Sequence, residues 1–349
     1  MKKFILLLLF FAAKNITSQN GFATFSASVP SGTIASQETT IFIDNAGNKW
    51  VGFSGGGPSI SLVLAKYDNA SSTWTYWSKA AMGIVSPTMG LNVKALTQDN
   101  SGNIWIGTTN GLIKYDGFTF TLYNTTNGLP HNIINCLEFN NNMLYIGTIG
   151  GLSRWDGLTF TNYTSTNTLF PVGGVFGLKA ENANSIWASV GYFNLVKFYI
   201  NSSFTSTSYT SAIATPTSLA FKDIYIDAVG NKWISSTLGP VKYDNTNFTY
   251  FNNASYPYFM GVDFYNSKSI VKGPNNGAMV VGSSNGTNCL VEFFVAGNYN
   301  TYYSPGTMKL GTSLANDASG KTFMTGIITT TPSLVANMHS FNYSNYSVY

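Results

Sequence analysis

The sequence predicts an all-β chain folded as a seven-bladed β-propeller of four-stranded antiparallel blades. Three observations lead there. A bulky residue returns at a near-constant period, each period reads as four short strands joined by tight turns, and no stretch of about a dozen residues carries the apolar spacing of an amphipathic helix.

The N-terminal segment 1–18, MKKFILLLLFFAAKNITS, comes first. Lys2 and Lys3 precede an apolar run from Phe4 to Ala13, and small and polar residues lead to a cleavage point after Ser18. That is the layout of a secretory signal peptide. A run of about ten apolar residues is too short to span a bilayer, which takes roughly 20. No cysteine follows the run, which argues against a lipid anchor, and no later segment is apolar enough to cross a membrane. Residues 19–349 are therefore read as a single exported domain, periplasmic or secreted. The leader carries Lys2, Lys3 and Lys14, three of the 18 basic residues, so 15 remain against 14 acidic ones. Arg154 is the sole arginine. A nucleic-acid partner needs clustered Lys and Arg to neutralise phosphates, and none is expected here.

The repeat aligns on Trp50, Trp105, Tyr145, Trp187, Trp233, Met279 and Phe323, with spacings of 55, 40, 42, 46, 46 and 44 residues. In unit two, VKALTQ (93–98) leads to the turn DNSGN, then IWIGT, the turn TNG, LIKYD and FTFTLY. IWIGT and FTFTLY alternate with the period of a strand. Asp99, Asn100 and Gly102 are residue types that tolerate tight turns. Gly107, after the aromatic, is expected to leave room for a neighbouring sheet. A lone four-stranded sheet cannot bury both faces, whereas radial stacking covers them and leaves only short edges. The closing stretch HSFNYSNYSVY (339–349) matches LIKYDGFTFTLY strand for strand, so the C-terminus is expected to complete its own blade. FATFSA (22–27) is expected to clasp the outer edge of the ring. Cys136 and Cys289 fall at different positions of units three and six and are read as buried small hydrophobes rather than a pair.

The pattern D-x-x-G-N-x-W-I-G-T-x-x-G-L-x-K-Y-D resembles the two-component regulator propeller repeat. Asp99, Gly102, Asn103, Trp105, Ile106, Gly107, Thr108, Gly111, Leu112, Tyr115 and Asp116 carry it in unit two. Gly147 and Asp156 carry it in unit three, Asp227, Trp233 and Asp244 in unit five, Asp44 and Trp50 in unit one, and Trp187 in unit four. The resemblance implies seven-bladed propellers, found in sensor domains of hybrid histidine kinases and in freestanding exported proteins. It implies structural roles for these motif residues and a catalytic role for none. With no kinase or DNA-binding segment after the repeats, the scaffold and ligand binding carry over and signalling does not.

Catalytic constellations fare poorly against turn chemistry. The turn DNSGNIW resembles the Asp-box of sialidases, but their three-arginine cluster cannot be built with one arginine. DNAGN, DNSGN and DAVGN offer one carboxylate each, too few for calcium, and zinc spacing is absent, so no metal or cofactor is expected. Streptogramin-type lyases, also propellers, need a histidine-centred site, for which His131 is the candidate with Glu138, Glu181 or Glu292. Paired carboxylates for glycoside hydrolysis could come from those residues, Glu38, Asp223 or Asp263.

Propeller topology puts the links between blades and the turns between second and third strands on one face, around the channel. His131, Asn132, Phe170, Tyr192, Phe193, Tyr256, Tyr258 and Phe259 fall there. Aromatics and amides at such places suit a neutral, hydrogen-bonding ligand. The expected function is a non-catalytic binding module for a glycan or another cell-envelope protein. The alternative is a lyase or glycoside hydrolase using His131 with a channel carboxylate.

Overall fold

The structure, a computed structural model, describes residues 18–19, 22–27, 38–55, 62–83, 90–166, 170–200, 205–210, 220–236, 239–251, 262–263, 269–273, 275–284, 287–293, 299–303, 308–328 and 336–341. Among them strands prevail, and the only helical element is the 3-10 turn Thr125–Asn127. Unit two folds as Leu91–Gln98, Ile104–Thr108, Gly111–Tyr115 and Phe120–Tyr123, paired antiparallel in chain order. Unit three repeats this with Ile134–Asn140, Met143–Thr148, Gly151–Trp155 and Phe160–Tyr163. The first strands of successive units are Glu38–Ile43, Leu91–Gln98, Ile134–Asn140, Val175–Asn182, Phe221–Ile226, Ile270–Lys272 and Met308–Asn316. Each touches the next, and the last touches the first.

The turn between first and second strands explains the repeated motif. Asp99 Oδ1 accepts the backbone N–H groups of Ser101 (3.0 Å) and Asn103 (2.9 Å), while Oδ2 accepts Asn103 Nδ2 and the Trp105 indole Nε1, both at 2.8 Å. One carboxylate thus closes the turn, holds its Asn and fixes the Trp that enters the core. Gly102 completes the turn at φ 85°, the left-handed region that glycine adopts without strain. Asp44 and Asp227 repeat all four bonds, to Asn48 and Trp50 and to Asn231 and Trp233.

The worn units keep or replace this carboxylate. Asp317 caps its turn through the N–H groups of Ser319 (2.9 Å) and Lys321 (3.0 Å). In unit six Gly273 stands where the Asp would be. A Cβ there would collide with the carboxylate of Glu292, which arrives from the third strand, Thr287–Phe293. Its Oε1 accepts the Asn275 N–H at 2.7 Å and its Oε2 accepts Asn275 Nδ2 at 2.9 Å. In unit four the extra methylene of Glu181 carries the carboxylate past the turn to Lys197 (2.5 Å) and Lys232 (2.8 Å). Unit three has no such carboxylate. Its hairpin is the two-residue turn Asn141–Asn142, with φ of 50° and 60°, the conformation that Asn tolerates in a tight hairpin.

A second carboxylate turn joins third and fourth strands. Asp116 Oδ1 accepts Phe118 N–H (2.8 Å) and Thr119 N–H (2.7 Å), and Asp156 and Asp244 do the same in their units. These backbone donors hold Asp116 at about 2 and push Asp156 and Asp244 below the usual carboxylate range.

Packing between sheets uses the glycine after the aromatic. A Cβ on Gly107 would lie 2.7 Å from Ile134 Cγ2 in the next unit's first strand, and one on Gly147 would lie 2.8 Å from Val175 Cγ1. IWIGT is buried at every position, since neighbouring sheets cover both faces of a second strand. One core cluster joins Trp105 and Leu112 to Ile134, Leu137 and Ile146 of the following unit. Two buried lysines span sheets, Lys232 over the Trp187 ring at 4.4 Å and Lys49 over the Phe323 ring at 4.9 Å. Cys136 is a free thiol, while the Cys289 side chain lies outside the described residues.

The last sheet corrects one expectation. Its outer strand is Phe22–Ala27, which pairs antiparallel with Ala336–Phe341 from Phe22↔Phe341 to Ala27↔Ala336. The C-terminal stretch therefore does not fill that position, and residues 342–349 lie outside the described residues. An exposed third-strand edge takes one partner, and a strand from the other end of the chain ties first unit to last. The clasp expected of 22–27 is this pairing.

Asp99→Ala is expected to lower the free energy of unfolding by about 1.5–3 kcal/mol, the range for hydrogen bonds to a charged group. Asp116→Ala, on an exposed turn, should cost clearly less. Urea midpoints at constant m-value check the order.

Candidate binding face around the channel

The link between units two and three is locked by its own amides. Asn124 and Asn127 form a reciprocal cap around Thr125–Asn127, and Gly128 leaves the turn at φ 107°. Asn132 Oδ1 accepts the Thr125 N–H at 2.9 Å, and its carbonyl accepts the Gly111 N–H at 2.7 Å. His131 Nδ1 accepts the Ile133 N–H at 2.9 Å, and His131 Cβ and the Pro130 carbonyl lie against Gly150. Both residues are half-buried.

The aromatics divide. Phe170 is a core residue rather than a surface anchor, 5% exposed with its ring stacked on Phe198 at 5.5 Å. Phe193 is half-buried against the cluster of Trp187, Leu195 and Phe221. Tyr192 is 69% exposed, and its carbonyl accepts the Phe221 N–H at 2.8 Å. Tyr256, Tyr258 and Phe259 lie outside the described residues, as do residues 56–61 and 304–307 of the other expected loops.

An apolar patch surrounds Tyr192 that its sequence neighbours did not announce. Ile149, Val172 and Phe176 are exposed on the same face. Gly174 backs onto the main chain of Ile149, and Gly173 and the Val172 carbonyl back onto Gly191, so the segments that carry Ile149, Val172 and Tyr192 are neighbours. Phe176 occupies the first-strand place held by Lys94, Asn135 and Lys222 in neighbouring units, as the pairing registers show. That one apolar residue among polar equivalents is the signal that could have located the patch.

The channel wall carries charge. Glu138 Oε1 meets Lys179 Nζ at 3.1 Å and accepts the Ala180 N–H at 3.0 Å. The Glu138 charge raises Lys179 above its ordinary value. Asp223 is pushed up to about 6, chiefly by burial, against hydrogen bonds from the N–H groups of Ile270 (3.1 Å) and Ile224 (2.9 Å). Burial drives the Cys136 thiol well above its usual range, so it is no thiolate nucleophile. Glu181 is paired with Lys197 and Lys232, and Glu292 closes the Asn275 turn. The side chains of Glu38, Asp263 and His339 lie outside the described residues. Among the described residues no three His, Cys, Asp or Glu side chains are grouped to hold a metal ion, and no helix is long and apolar enough to cross a membrane.

Residues 89–110, which contain the Asp99 turn and IWIGT, match the family model described as two component regulator propeller. No curated protein matches the chain in sequence. Among solved structures the chain is similar to a streptogramin B lyase, at 13% identity and TM-score 0.65, covering 93% of this chain and 99% of that one. It is also similar to YCF48 bound to D1 peptide (9% identity, TM-score 0.61, 94% and 99% covered) and to the WD40 β-propeller domain of Doa1 (10%, 0.60, 94% and 100%). At these identities the likeness establishes the β-propeller fold, shared by proteins of unlike function.

Asp223 gives a pH signature. Its folded value lies above the unfolded one, so its stabilising contribution is full below about pH 4 and is lost as pH rises through about 6. Asp223→Asn is expected to flatten the fall in urea midpoint between about pH 4 and pH 7, and an unchanged profile would contradict the assignment.

Proposed function

We propose that this protein is an exported, seven-bladed β-propeller that acts as a non-catalytic binding module for a protein or glycan of the cell envelope. The count of seven rests on the first strands, which touch in cyclic order from Glu38–Ile43 to Met308–Asn316, and on the seven sequence periods. Export rests on the leader-like pattern of residues 1–18. The observation that carries binding is the exposure of Ile149, Val172, Phe176 and Tyr192 on neighbouring segments of the channel face. Exposed apolar groups gathered on a soluble scaffold mark interaction sites. The patch favours a protein partner, with a sugar stacked on Tyr192 as the glycan form of the same reading.

The enzyme alternative is disfavoured by the commitments of its candidates. His131 Nδ1 accepts a main-chain donor, both Asp223 oxygens accept main-chain donors, and Glu138 is bonded to Lys179 and Ala180. The channel carboxylates hold the wall together.

A ligand at about 100 times its Kd adds ~2.7 kcal/mol, which is several degrees of Tm in a domain this large. Thermal shift against soluble envelope glycans, and photo-crosslinking from position 192 in envelope preparations, test the reading. A shift lost in Tyr192→Ala supports it, as does a discrete adduct at 192 that is absent from the exposed position Val229. Turnover of a glycan, or neither response, would overturn it.

A further inference from the structure

A cleft of about 280 Å³ opens between units two and three, lined by residues of both first hairpins. These turns lie at the opposite end of the strands from the links and second-to-third-strand turns, so the cleft belongs to the other face. Its cause is readable. Unit two carries the full Asp99–Asn103 turn, while unit three turns in the two residues Asn141 and Asn142. The low hairpin leaves a wall missing beside Tyr123, Phe139 and Trp155, all half-buried.

We propose that this cleft binds a single neutral sugar ring, free or at the end of a glycan, independently of the channel face. Its lining has the two chemistries such a ring needs. Tyr123 and Trp155, with ring centroids 5.4 Å apart, offer aromatic surface to the C–H face of a pyranose. Polar groups rim the same space. Asn142 Oδ1 accepts Asn100 Nδ2 at 2.7 Å, which leaves the Asn142 NH₂ as a donor toward hydroxyls. The Lys114 ammonium stands 5.7 Å from the Trp105 ring centre at the same cleft. The one carboxylate present, Asp99, has both oxygens taken up by four donors of its own unit, so the ligand would be met by the aromatic, amide and ammonium groups instead. The volume falls just below the roughly 300–1,000 Å³ of drug-sized ligand pockets, which suits one ring rather than an oligosaccharide buried along its length. At the rim, Gly157 precedes Leu158, 86% exposed, where a longer glycan or its carrier would rest.

The test uses the mature full chain titrated with methyl glucoside, methyl galactoside and N-acetylglucosamine to about 100 mM, read by the indole N–H resonances of Trp105 and Trp155. A saturable shift with at least one sugar is expected. Asn142→Gly keeps the positive-φ turn and removes the amide, and Lys114→Ala removes the ammonium; each should weaken binding about fivefold or more with Tm unchanged. Trp155→Ala should abolish it, with the two milder variants guarding against loss of fold. Tyr192→Ala should leave it untouched. No saturable shift with any of the three sugars would overturn the proposal. So would shifts that survive Asn142→Gly and Lys114→Ala, or shifts abolished by Tyr192→Ala, which would place the sugar on the channel face instead.

Discussion

A carboxylate set under the first hairpin of a sheet is the interaction on which the rest of the structure depends. In the full motif it takes four donors at once: two backbone N–H groups, an amide and an indole. The bonds to the turn set where the first strand ends and the second begins. The bond to the indole fixes the rotation of the large ring that fills the space between adjacent sheets. Turn geometry and inter-sheet packing are therefore coupled through one atom group, and the glycine two residues beyond the Trp lets the next first strand approach. A propeller of short strands has little other local order to rely on, since each sheet is stable only with its neighbours in place.

Departures from that motif locate the features peculiar to this chain. Where Glu replaces Asp, the carboxylate reaches two lysines, and the buried Lys232 ties unit five to unit four. Where Gly replaces Asp, a Glu on another strand supplies the same charge to the same turn. Where the turn is simply shorter, nothing fills the space and a cleft remains. The channel face follows a different rule. The described link between units two and three is held by amides and main-chain bonds, and on that face Ile149, Val172 and Tyr192 remain exposed.

The fold was legible because turn residues and strand period agree in every well-kept unit. DNSGN, IWIGT and the Gly after the aromatic each have one physical reading, and the structure shows it. The outer strand of the last sheet is not legible in sequence, because NYSNYSVY and FATFSA share the same aromatic and polar alternation, and only topology decides which one pairs. Glu292 could not be linked to the Gly273 turn from sequence, because the two meet across strands 19 positions apart. Phe170 and Tyr192 both looked like loop aromatics. Sequence carries no sign of which ring turns inward, and the Phe170 ring turns onto Phe198. Ile149 and Val172 are single apolar residues in turns, and their exposure is set by how neighbouring links pack.

The most direct test of the carboxylate's role is a relocation in unit six. Glu292→Ala alone removes the charge from the Asn275 turn, and Gly273→Asp alone crowds it. Combined, they rebuild the turn as Asp317 holds it in unit seven, through two backbone N–H groups, since Gly277 and Met279 supply neither the amide nor the indole of the full motif. Urea midpoints of the two single variants and the double variant make the measurement. The account predicts that the double variant recovers most of the stability lost in Glu292→Ala. A double variant no more stable than Glu292→Ala would show that Glu292 serves the fold by some means other than closing that turn.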